Sequence, residues 1–409
     1  MRRTDGLLVS CLGAFALAIA PLVAQQPGSP GEQRGNQDPP RFHRHGPNRI
    51  ANQYIVVLDE DAQGPEADPG AAAARAEQVI QRTPAGRLTF VYSAALSGFA
   101  AEMTEEEAVA LSRDPDVLFV EEDSVVEAFA TQTNATWGLD RIDQRDRPLN
   151  GTYSYTSTGS GVNVYIIDTG IRRTHTQFGG RAFVGFDAIR DGRNTSDCNG
   201  HGTHVAGTVG GSTYGVAKAV RLFAVRVLNC SGSGTTSGVI AGIDWVTRSR
   251  IRPAVANMSL GGGASSSLDT AVRNSINAGV TYAVAAGNSN ANAGNFSPAR
   301  VGEAITVGSS TSTDARSSFS NFGSVVDIFA PGSSITSAWS TSDTATRTIS
   351  GTSMATPHVA GVAARYLQSN TTASAATVRN AIVNAATLNR LSGIPSGTAN
   401  RLLFWSPSQ

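Results

Sequence analysis

The chain has 409 residues, of which 40% are hydrophobic and 16% charged, and its formal net charge is zero. This length and composition allow a sizeable buried core, exclude a disordered or fibrous chain, and favour more than one domain. The zero net charge hides two opposite halves: residues 25–129 contain 18 acidic and 8 basic side chains, whereas residues 130–409 contain 13 acidic and 22 basic ones. Opposite charges favour two parts that bind each other, although unrelated surfaces are the alternative.

The first residues have the layout of a secretory signal. Two arginines precede an apolar run from Leu7 to Ala24, and polar residues follow, which predicts a signal peptide at 1–24. An uncleaved membrane anchor is the alternative, because the run is near the lower length limit for a bilayer span. We therefore expect a secreted, extracellular protein with no membrane partner after signal removal.

Two further segments precede residue 130. Residues 25–49 are rich in Pro, Gly and polar residues, which predicts a linker. Residues 50–129 predict strands and helices in the order β-α-β-β-α-β, a small ferredoxin-like α+β domain. Thr104 and Glu107 predict a capping box at its second helix. This domain contains no histidine, and we expect it to do no chemistry.

From Ala130 onward, short β-branched strands alternate with helical patterns, as in "VNVYIID", "VRLFAVRVL", "AVANMSL", "VTYAVAA", "AITVGS" and "VVDIFA". Continuous apolar strands separated by helices predict an α/β domain whose parallel sheet is sandwiched by helices. Ligands of such sheets bind at the carboxyl ends of the strands. Asp168, Ser259–Gly262 and Asn288 all fall there.

Three separated motifs carry candidate catalytic residues. "IIDTG" contains Asp168, "GHGTHVAG" contains His201 and His204, and "GTSMATP" contains Ser353. A serine hydroxyl becomes a strong nucleophile when a histidine accepts its proton and a buried carboxylate orients that histidine. Taken alone, each residue also has a structural interpretation as a strand cap, a buried histidine or a helix N-cap.

Other classes of protein fit these motifs less well. An aspartic protease needs a second Asp-Thr/Ser-Gly to share a proton with the first, and only "DTA" occurs, at Asp269 and Asp343. The α/β-hydrolase elbow Gly-x-Ser-x-Gly requires glycine where Ala355 stands. A catalytically inactive binding relative would leave unexplained why all the candidate catalytic positions are intact. The arginines of the basic half are scattered without a basic patch, so we expect no nucleic-acid partner.

The order Asp…His…Ser in these motifs resembles the subtilisin-like serine proteases. "TQTNATWGLDRID" and "SSFSNFGSVVDIFAPG" are similar to the proteinase K and aqualysin branch. The resemblance implies a subtilisin-like peptidase domain at 130–409, preceded at 50–129 by an inhibitory propeptide that also assists folding. It further implies a monomer that acts on proteins and peptides and needs no cofactor for catalysis.

The resemblance also implies roles for single residues. Asp168 would orient His201 as the general base, Ser353 would be the nucleophile, and Asn288 would complete an oxyanion hole with the Ser353 backbone N–H. His204 would be a packing neighbour. The implied cleavage of the Phe129–Ala130 bond would make the chain a self-processing zymogen.

Two glycine-rich segments resemble the strands that flank the family's substrate. Peptide would add as an extended strand between them, with broad specificity and a preference for apolar or aromatic residues before the cleaved bond. The implied substrate-binding residues are Ser231, Gly232, Ser233, Gly234, Ser259, Leu260, Gly261 and Gly262.

Cys198 and Cys230 are the two cysteines that remain after signal removal, and an oxidising compartment favours a disulfide over a metal site. Their spacing matches a disulfide of the aqualysin-like branch. The resemblance also implies structural calcium, held by Asp327 with the carbonyls of Gly302 and Ala304. A second site would use Asp140, Asp143 and Gln144, with Asn150 and Thr152 nearby; a solvated acidic turn is the alternative there.

Overall fold

The computed structural model describes residues 41–44, 49–59, 69–84, 86–124 and 130–407. The predicted signal peptide, most of the predicted linker and Phe129 of the predicted cleavage bond lie outside these residues. The chain divides between Val125 and Val126 into two compact units.

The first unit packs two helices on a sheet that is antiparallel except for one parallel pair, formed by its first and last described strands. Its elements in the described residues are β1 (Phe42–His43), β2 (Arg49–Leu58), α1 (Pro69–Ile80), β3 (Arg87–Tyr92), β4 (Gly98–Glu102), α2 (Glu105–Leu111) and β5 (Val117–Ser124). The strand order is β1-β5-β2-β4-β3. The order β5-β2-β4-β3, with antiparallel neighbours, confirms the predicted ferredoxin-like arrangement. Val56, Phe99 and Val120 are fully buried in its core.

The sequence prediction of this unit is accurate at one helix start and wrong at one strand. The capping box is present: the Thr104 N–H donates to Glu107 Oε2 at 2.8 Å, and the Glu107 N–H donates to Thr104 Oγ1 at 3.2 Å. Phe42, however, lies in the predicted linker and yet pairs with Val120 in β1. Only 5% of Phe42 is exposed. A two-residue strand has no local periodicity, so only its tertiary pairing reveals it.

The second unit contains the remaining described elements. They are β6 (Ala130–Thr133), α3 (Trp137–Ile142), β7 (Thr152–Tyr155), β8 (Asn163–Asp168), β9 (Ala182–Asp187), α4 (His201–Gly210), β10 (Arg221–Arg226), α5 (Thr236–Ser249), β11 (Ala254–Met258), β12 (Gly262–Gly263), α6 (Ser266–Asn277), β13 (Val280–Ala285), β14 (Phe296–Ser297), β15 (Ile305–Ser310), β16 (Ile328–Pro331), β17 (Ile335–Ala338), β18 (Thr346–Ile349), α7 (Thr352–Ser369), α8 (Ala375–Ala385), β19 (Thr387–Leu388) and β20 (Arg401–Leu402).

A nine-stranded sheet forms the centre of this unit, in the order β19-β20-β16-β15-β13-β11-β8-β10-β9. All neighbouring strands are parallel except β19 and β20. Helices cover both faces, because Ile166 of β8 packs in one core with residues of α4 and α7, whereas Ile167 packs in another with residues of α5 and α6. Burial on both faces explains why the predicted strands are continuously apolar.

No helix of the described residues is both long and apolar enough to cross a bilayer.

The parallel order of the sheet places the carboxyl ends of β8, β11 and β13 side by side at one edge of the sheet. Asp168 ends β8, Ser259–Gly262 follow β11, and Asn288 follows β13.

Candidate active site

Asp168 and His201 form a hydrogen-bonded pair at the carboxyl end of β8. The His201 Nδ1 lies 2.8 Å from Asp168 Oδ1 and 3.0 Å from Oδ2. Asp168 is fully buried, and the Thr169 backbone N–H donates to its Oδ1 at 2.7 Å. A carboxylate held in this way fixes the imidazole ring with its proton on Nδ1, which leaves Nε2 available as an acceptor.

The start of α4, where His201 lies, is held by residues that the sequence analysis did not single out. Asp197 Oδ2 accepts hydrogen bonds from the Thr203 N–H at 2.9 Å and the Thr203 hydroxyl at 2.6 Å, and its Oδ1 accepts from the Gly200 N–H at 2.8 Å. Thr169 donates to Asp197 at 2.9 Å and accepts from the Gly202 N–H at 2.9 Å. Asp197 lies three residues before the N-cap, Gly200, so the N-cap preference for aspartate does not identify it from the sequence.

Gly200 is required where it stands. It has φ of 110°, and a Cβ added there would lie 2.3 Å from the Trp339 ring. Any other residue would therefore displace Trp339 or the start of α4, and His201 with it.

Two opposing effects act on the pKa of His201. Burial lowers it, but the charge of Asp168, the Asp168 hydrogen bond and the charge of Asp197 together raise the pKa above its ordinary value. The carboxylates thus stabilise the imidazolium that forms when this ring accepts a proton.

His204 has a different environment. Its Nε2 lies 3.0 Å from the Ile335 carbonyl and 3.1 Å from the Arg347 carbonyl, and the residue is fully buried. Burial lowers the pKa of His204 to about 4. It is a neutral core residue, in agreement with its predicted packing role.

Ser353 is the second residue of α7, and Asn288 lies beside it. Asn288 Oδ1 accepts hydrogen bonds from the Thr352 N–H at 2.8 Å and the Thr352 hydroxyl at 2.9 Å. The Asn288 Nδ2 group donates to no other described residue, and it lies 3.5 Å from the position that a Cβ on Gly351 would take. The Ser353 hydroxyl donates to the Ser259 carbonyl at 3.1 Å. Among the hydrogen bonds of the described residues, none joins Ser353 to His201.

A cleft of about 610 Å³ lies beside His201. Its lining includes all eight predicted substrate-binding residues, together with apolar side chains such as Leu228, Val239 and Leu268. A Cβ on Gly262 would meet no atom within 4 Å. Packing therefore does not require glycine there, and the effect of Gly262 is to keep the cleft open.

The two walls of this cleft are less regular than predicted. Ser231–Gly234 is a turn rather than an edge strand, because the N–H groups of Ser231 and Ser233 both donate to Asn229 Oδ1, at 2.9 and 3.1 Å. Of Ser259–Gly262, only Gly262 lies in a strand, β12, which pairs with β14. A side-chain acceptor inside the turn competes with strand formation.

The structure contains a disulfide between Cys198 and Cys230, with 4.9 Å between the Cα atoms. It joins the loop that leads to His201 to the turn at Ser231–Gly234. The bond therefore links the segment of the histidine to one wall of the cleft.

Removing this disulfide is expected to lower the free energy of unfolding by about 3–4 kcal/mol, because the closed loop spans 32 residues and its entropy is restored to the unfolded chain. The measurement is denaturant unfolding of the Cys198→Ser/Cys230→Ser protein in an inactive background that prevents self-digestion. Unchanged unfolding, or two reactive thiols in the unfolded wild-type protein, would contradict the prediction.

The residues of the predicted Asp140 site fit a divalent cation. Asp140 accepts from the Asn150 and Gly151 N–H groups at 3.3 and 2.7 Å, and Asp143 Oδ2 accepts from Ser154 N–H at 2.7 Å. Asp143 Oδ1, however, is buried and has no hydrogen-bond partner within the described part of the chain. Burial, together with the charge of Asp140, raises the pKa of Asp143 to about 6. An oxygen-binding cation would satisfy the unpaired carboxylate oxygen.

The residues of the predicted Asp327 site fit a cation less well. Asp327 Oδ2 accepts from the Thr306 N–H at 2.9 Å, and its Oδ1 is paired with the Arg379 guanidinium. Arg379 already neutralises the carboxylate, so the set of Asp327, Gly302 and Ala304 does not fit calcium in this arrangement. Arg379 lies 52 residues from its partner, so no local pattern in the sequence indicates this pairing.

Comparison with known proteins decides the family. The sequence model of the Subtilase family matches residues 159–401, and that of Peptidase inhibitor I9 matches residues 53–129. The chain belongs to the subtilase family. The match confirms the predicted subtilisin-like fold, the predicted class of serine protease and the presence of an inhibitor-type prodomain.

Similar proteins extend this subtilase assignment over nearly the whole chain. The chain is 52% identical over 404 residues to the extracellular serine proteinase of Thermus sp. (strain Rt41A), covering 96% of this chain and 98% of the relative. It is 43% identical over 400 residues to proteinase R of Parengyodontium album, with the same coverage.

A solved structure, that of a cold adapted subtilisin-like serine proteinase, is 58% identical with a TM-score of 0.65. It covers 66% of this chain and 98% of its own. The name of the Thermus relative agrees with the predicted export of this subtilase.

Proposed function

We propose that this subtilase is a secreted, monomeric serine endopeptidase that cleaves peptide bonds through an acyl-enzyme. The observation that carries the proposal is the buried Asp168 holding His201 at the rim of a glycine-lined cleft. This arrangement supplies an oriented base beside a groove that accepts an extended peptide.

In the proposed mechanism, the Ser353 hydroxyl turns from the Ser259 carbonyl to His201 Nε2 and loses its proton as it attacks the substrate carbonyl. The Asn288 Nδ2 group and the Ser353 backbone N–H, at the positive end of α7, stabilise the oxyanion. His201 then donates the proton to the leaving amine, and water hydrolyses the acyl-enzyme by the reverse sequence. Asp168 keeps its hydrogen bond to His201 Nδ1 and stabilises the imidazolium.

The cleft supports broad specificity. Glycines line its backbone walls, so recognition relies on hydrogen bonds to the peptide backbone rather than on particular side chains. Leu228, Val239 and Leu268 give the cleft apolar surface, which favours an apolar or aromatic residue before the cleaved bond.

We further propose that the I9-type domain at 50–129 inhibits the peptidase domain at 130–409 and assists its folding. Cleavage at Phe129–Ala130 would release it. The proposal is supported by the I9 match at residues 53–129 and by the opposite net charges of the two segments. Phe129 is also the kind of residue that the cleft would prefer before the cut.

A serine-directed phosphonylating reagent tests the proposed nucleophile. The mature protein is treated until casein hydrolysis stops, and the modified residue is identified by mass spectrometry. Modification of Ser353 in proportion to lost activity is the expected result. Full activity after Ser353 is modified, or inhibition by a pepsin-type inhibitor instead, would overturn the proposal.

We also propose that calcium binds at Asp140 and Asp143 and stabilises the peptidase domain. Calcium at a hundredfold excess over its Kd is expected to add about 2.7 kcal/mol to the free energy of unfolding. A chelator should remove this increment, and calcium but not magnesium should restore it, because Asp143 lies in an irregular oxygen-rich loop. The measurement is the thermal midpoint with chelator and after each metal is added back.

Two variants locate the calcium effect. Asp143→Asn should abolish the calcium response. Asp146→Asn, in the same loop but exposed and paired with Arg390, should retain it. A response that survives Asp143→Asn and disappears in Asp327→Asn would instead assign the effect to the other predicted site.

A further inference from the structure

Ser259 and Ser353 are joined by two hydrogen bonds that run in opposite directions. The Ser353 hydroxyl donates to the Ser259 carbonyl at 3.1 Å, and the Ser259 hydroxyl donates to the Ser353 carbonyl at 2.8 Å. The two residues are 94 positions apart in the sequence. The segment after β11 and the first turn of α7 are therefore clamped to each other at the proposed nucleophile.

The Ser353 carbonyl needs this external donor because of the sequence of α7. A carbonyl near the start of an α-helix normally accepts from the N–H four residues later. The residue four positions after Ser353 is Pro357, which lies inside the helix and has no N–H. The Ser259 hydroxyl thus replaces the donor that proline removes.

The direction of the Ser259 hydroxyl is itself fixed. Asn257, at 0% exposure, donates its Nδ2 hydrogen to Ser259 Oγ at 2.9 Å. The hydroxyl has a single proton, so it accepts from Asn257 and must donate to Ser353. Ser259 is only 3% exposed, which keeps water from replacing either bond.

Ser259 lies in the wall of the cleft, so its hydroxyl could serve either the substrate or the nucleophile. Its one proton is donated to Ser353 and one of its lone pairs accepts from Asn257, so it has no proton left to donate to a substrate. A buried hydroxyl that is committed to two protein partners has little left to offer a substrate.

We propose that the Ser259 side chain positions the nucleophile. It holds the Ser353 backbone in the position from which the Ser353 hydroxyl can reach His201. This inference rests on the proposed function. Ser259 is a positioning residue and not a catalytic one, because its hydroxyl acts on the backbone of Ser353.

The test uses the full chain carrying Ser259→Ala, matured in trans by a trace of tagged wild-type enzyme that is then removed. Misplacement of a reacting atom by about 1 Å costs on the order of 10²-fold in rate. We expect kcat to fall roughly 10- to 100-fold with KM changed less than about threefold. The rate at which the phosphonylating reagent modifies Ser353 should fall by the same factor.

Two further variants separate positioning from loss of stability. Ser259→Thr retains the hydroxyl and should recover most of kcat. Ser275→Ala removes another fully buried serine hydroxyl, which accepts a hydrogen bond from Tyr282 at 2.9 Å; it should lower the thermal midpoint and leave kcat unchanged.

Three outcomes overturn the inference: Ser259→Ala with kcat within twofold of wild type, a change in KM alone, or a folded Ser259→Thr protein that recovers no kcat. Each is distinct from failure of the proposed function, which would appear in the wild-type protein as activity that persists after Ser353 is modified.

Discussion

Ser353→Ala is expected to lower kcat by about 10⁶-fold and to leave the full-length chain uncleaved at Phe129–Ala130. The magnitude is taken from subtilisin, a member of the same family. Alanine retains the α7 backbone but removes the atom that attacks the substrate carbonyl, so only binding and oxyanion stabilisation remain. Peptide hydrolysis and the intact mass of the product, expressed without other proteases, measure the two effects.

Ser350→Ala is the matched control for this experiment. Ser350 lies three residues earlier, and its hydroxyl accepts a hydrogen bond from the Ser334 N–H at 2.8 Å. This variant should be processed and active. Normal cleavage of the Ser353→Ala chain would show that another protease performs the processing, and retained peptidase activity would exclude Ser353 as the nucleophile.

Asp168→Asn is expected to lower kcat at neutral pH by about 10⁴-fold, because the amide no longer fixes the tautomer of His201 or stabilises its imidazolium. The same change should shift the pH profile. Activity requires neutral His201, so it rises as the pH passes through the pKa of this residue. Asp168 raises that pKa, and its neutralisation should therefore move the acidic limb of kcat/KM to lower pH.

The profile of Asp168→Asn is measured from pH 5 to 9 after maturation in trans. Asp244→Asn removes a carboxylate of α5 that is exposed and paired with Arg248, and it should reproduce the wild-type profile. An acidic limb that moves to higher pH, or wild-type activity at pH 7, would contradict the proposed role of Asp168.

The sequence predicted most of the fold because local patterns coincide with the tertiary arrangement. Each of the six strands named from apolar runs belongs to the nine-stranded sheet, whose two buried faces require that pattern. β1 was not predicted, because a strand of only two residues, Phe42 and His43, is too short to show an alternation of apolar and polar side chains. Ser231–Gly234 was predicted to be a strand but forms a turn. The reason is that the side chain of Asn229 accepts backbone hydrogen bonds there and so competes with strand pairing.

In the candidate site, too, some residues could be predicted from the sequence and others could not. Residue type and order were enough to nominate Asp168, His201, Ser353 and Asn288, since serine nucleophiles need a base and a carboxylate. Asp197 was not nominated, because it lies three residues before the N-cap of α4 and its contact with Thr169 joins residues 28 positions apart. The partner of Asp327 could not be predicted, because the charge of Arg379 comes close to Asp327 only when α8 packs against the folded sheet.

The sequence by itself determined which chemistry is present: the motifs around Asp168, His201 and Ser353, the apolar strand that buries the carboxylate, and the proline that deprives the Ser353 carbonyl of a helical donor. Only the tertiary structure decided how these groups are oriented. The hydrogen bonds that orient them join residues 33 to 94 positions apart. Contacts at such separations depend on how helices and strands pack, which no local pattern of residues encodes.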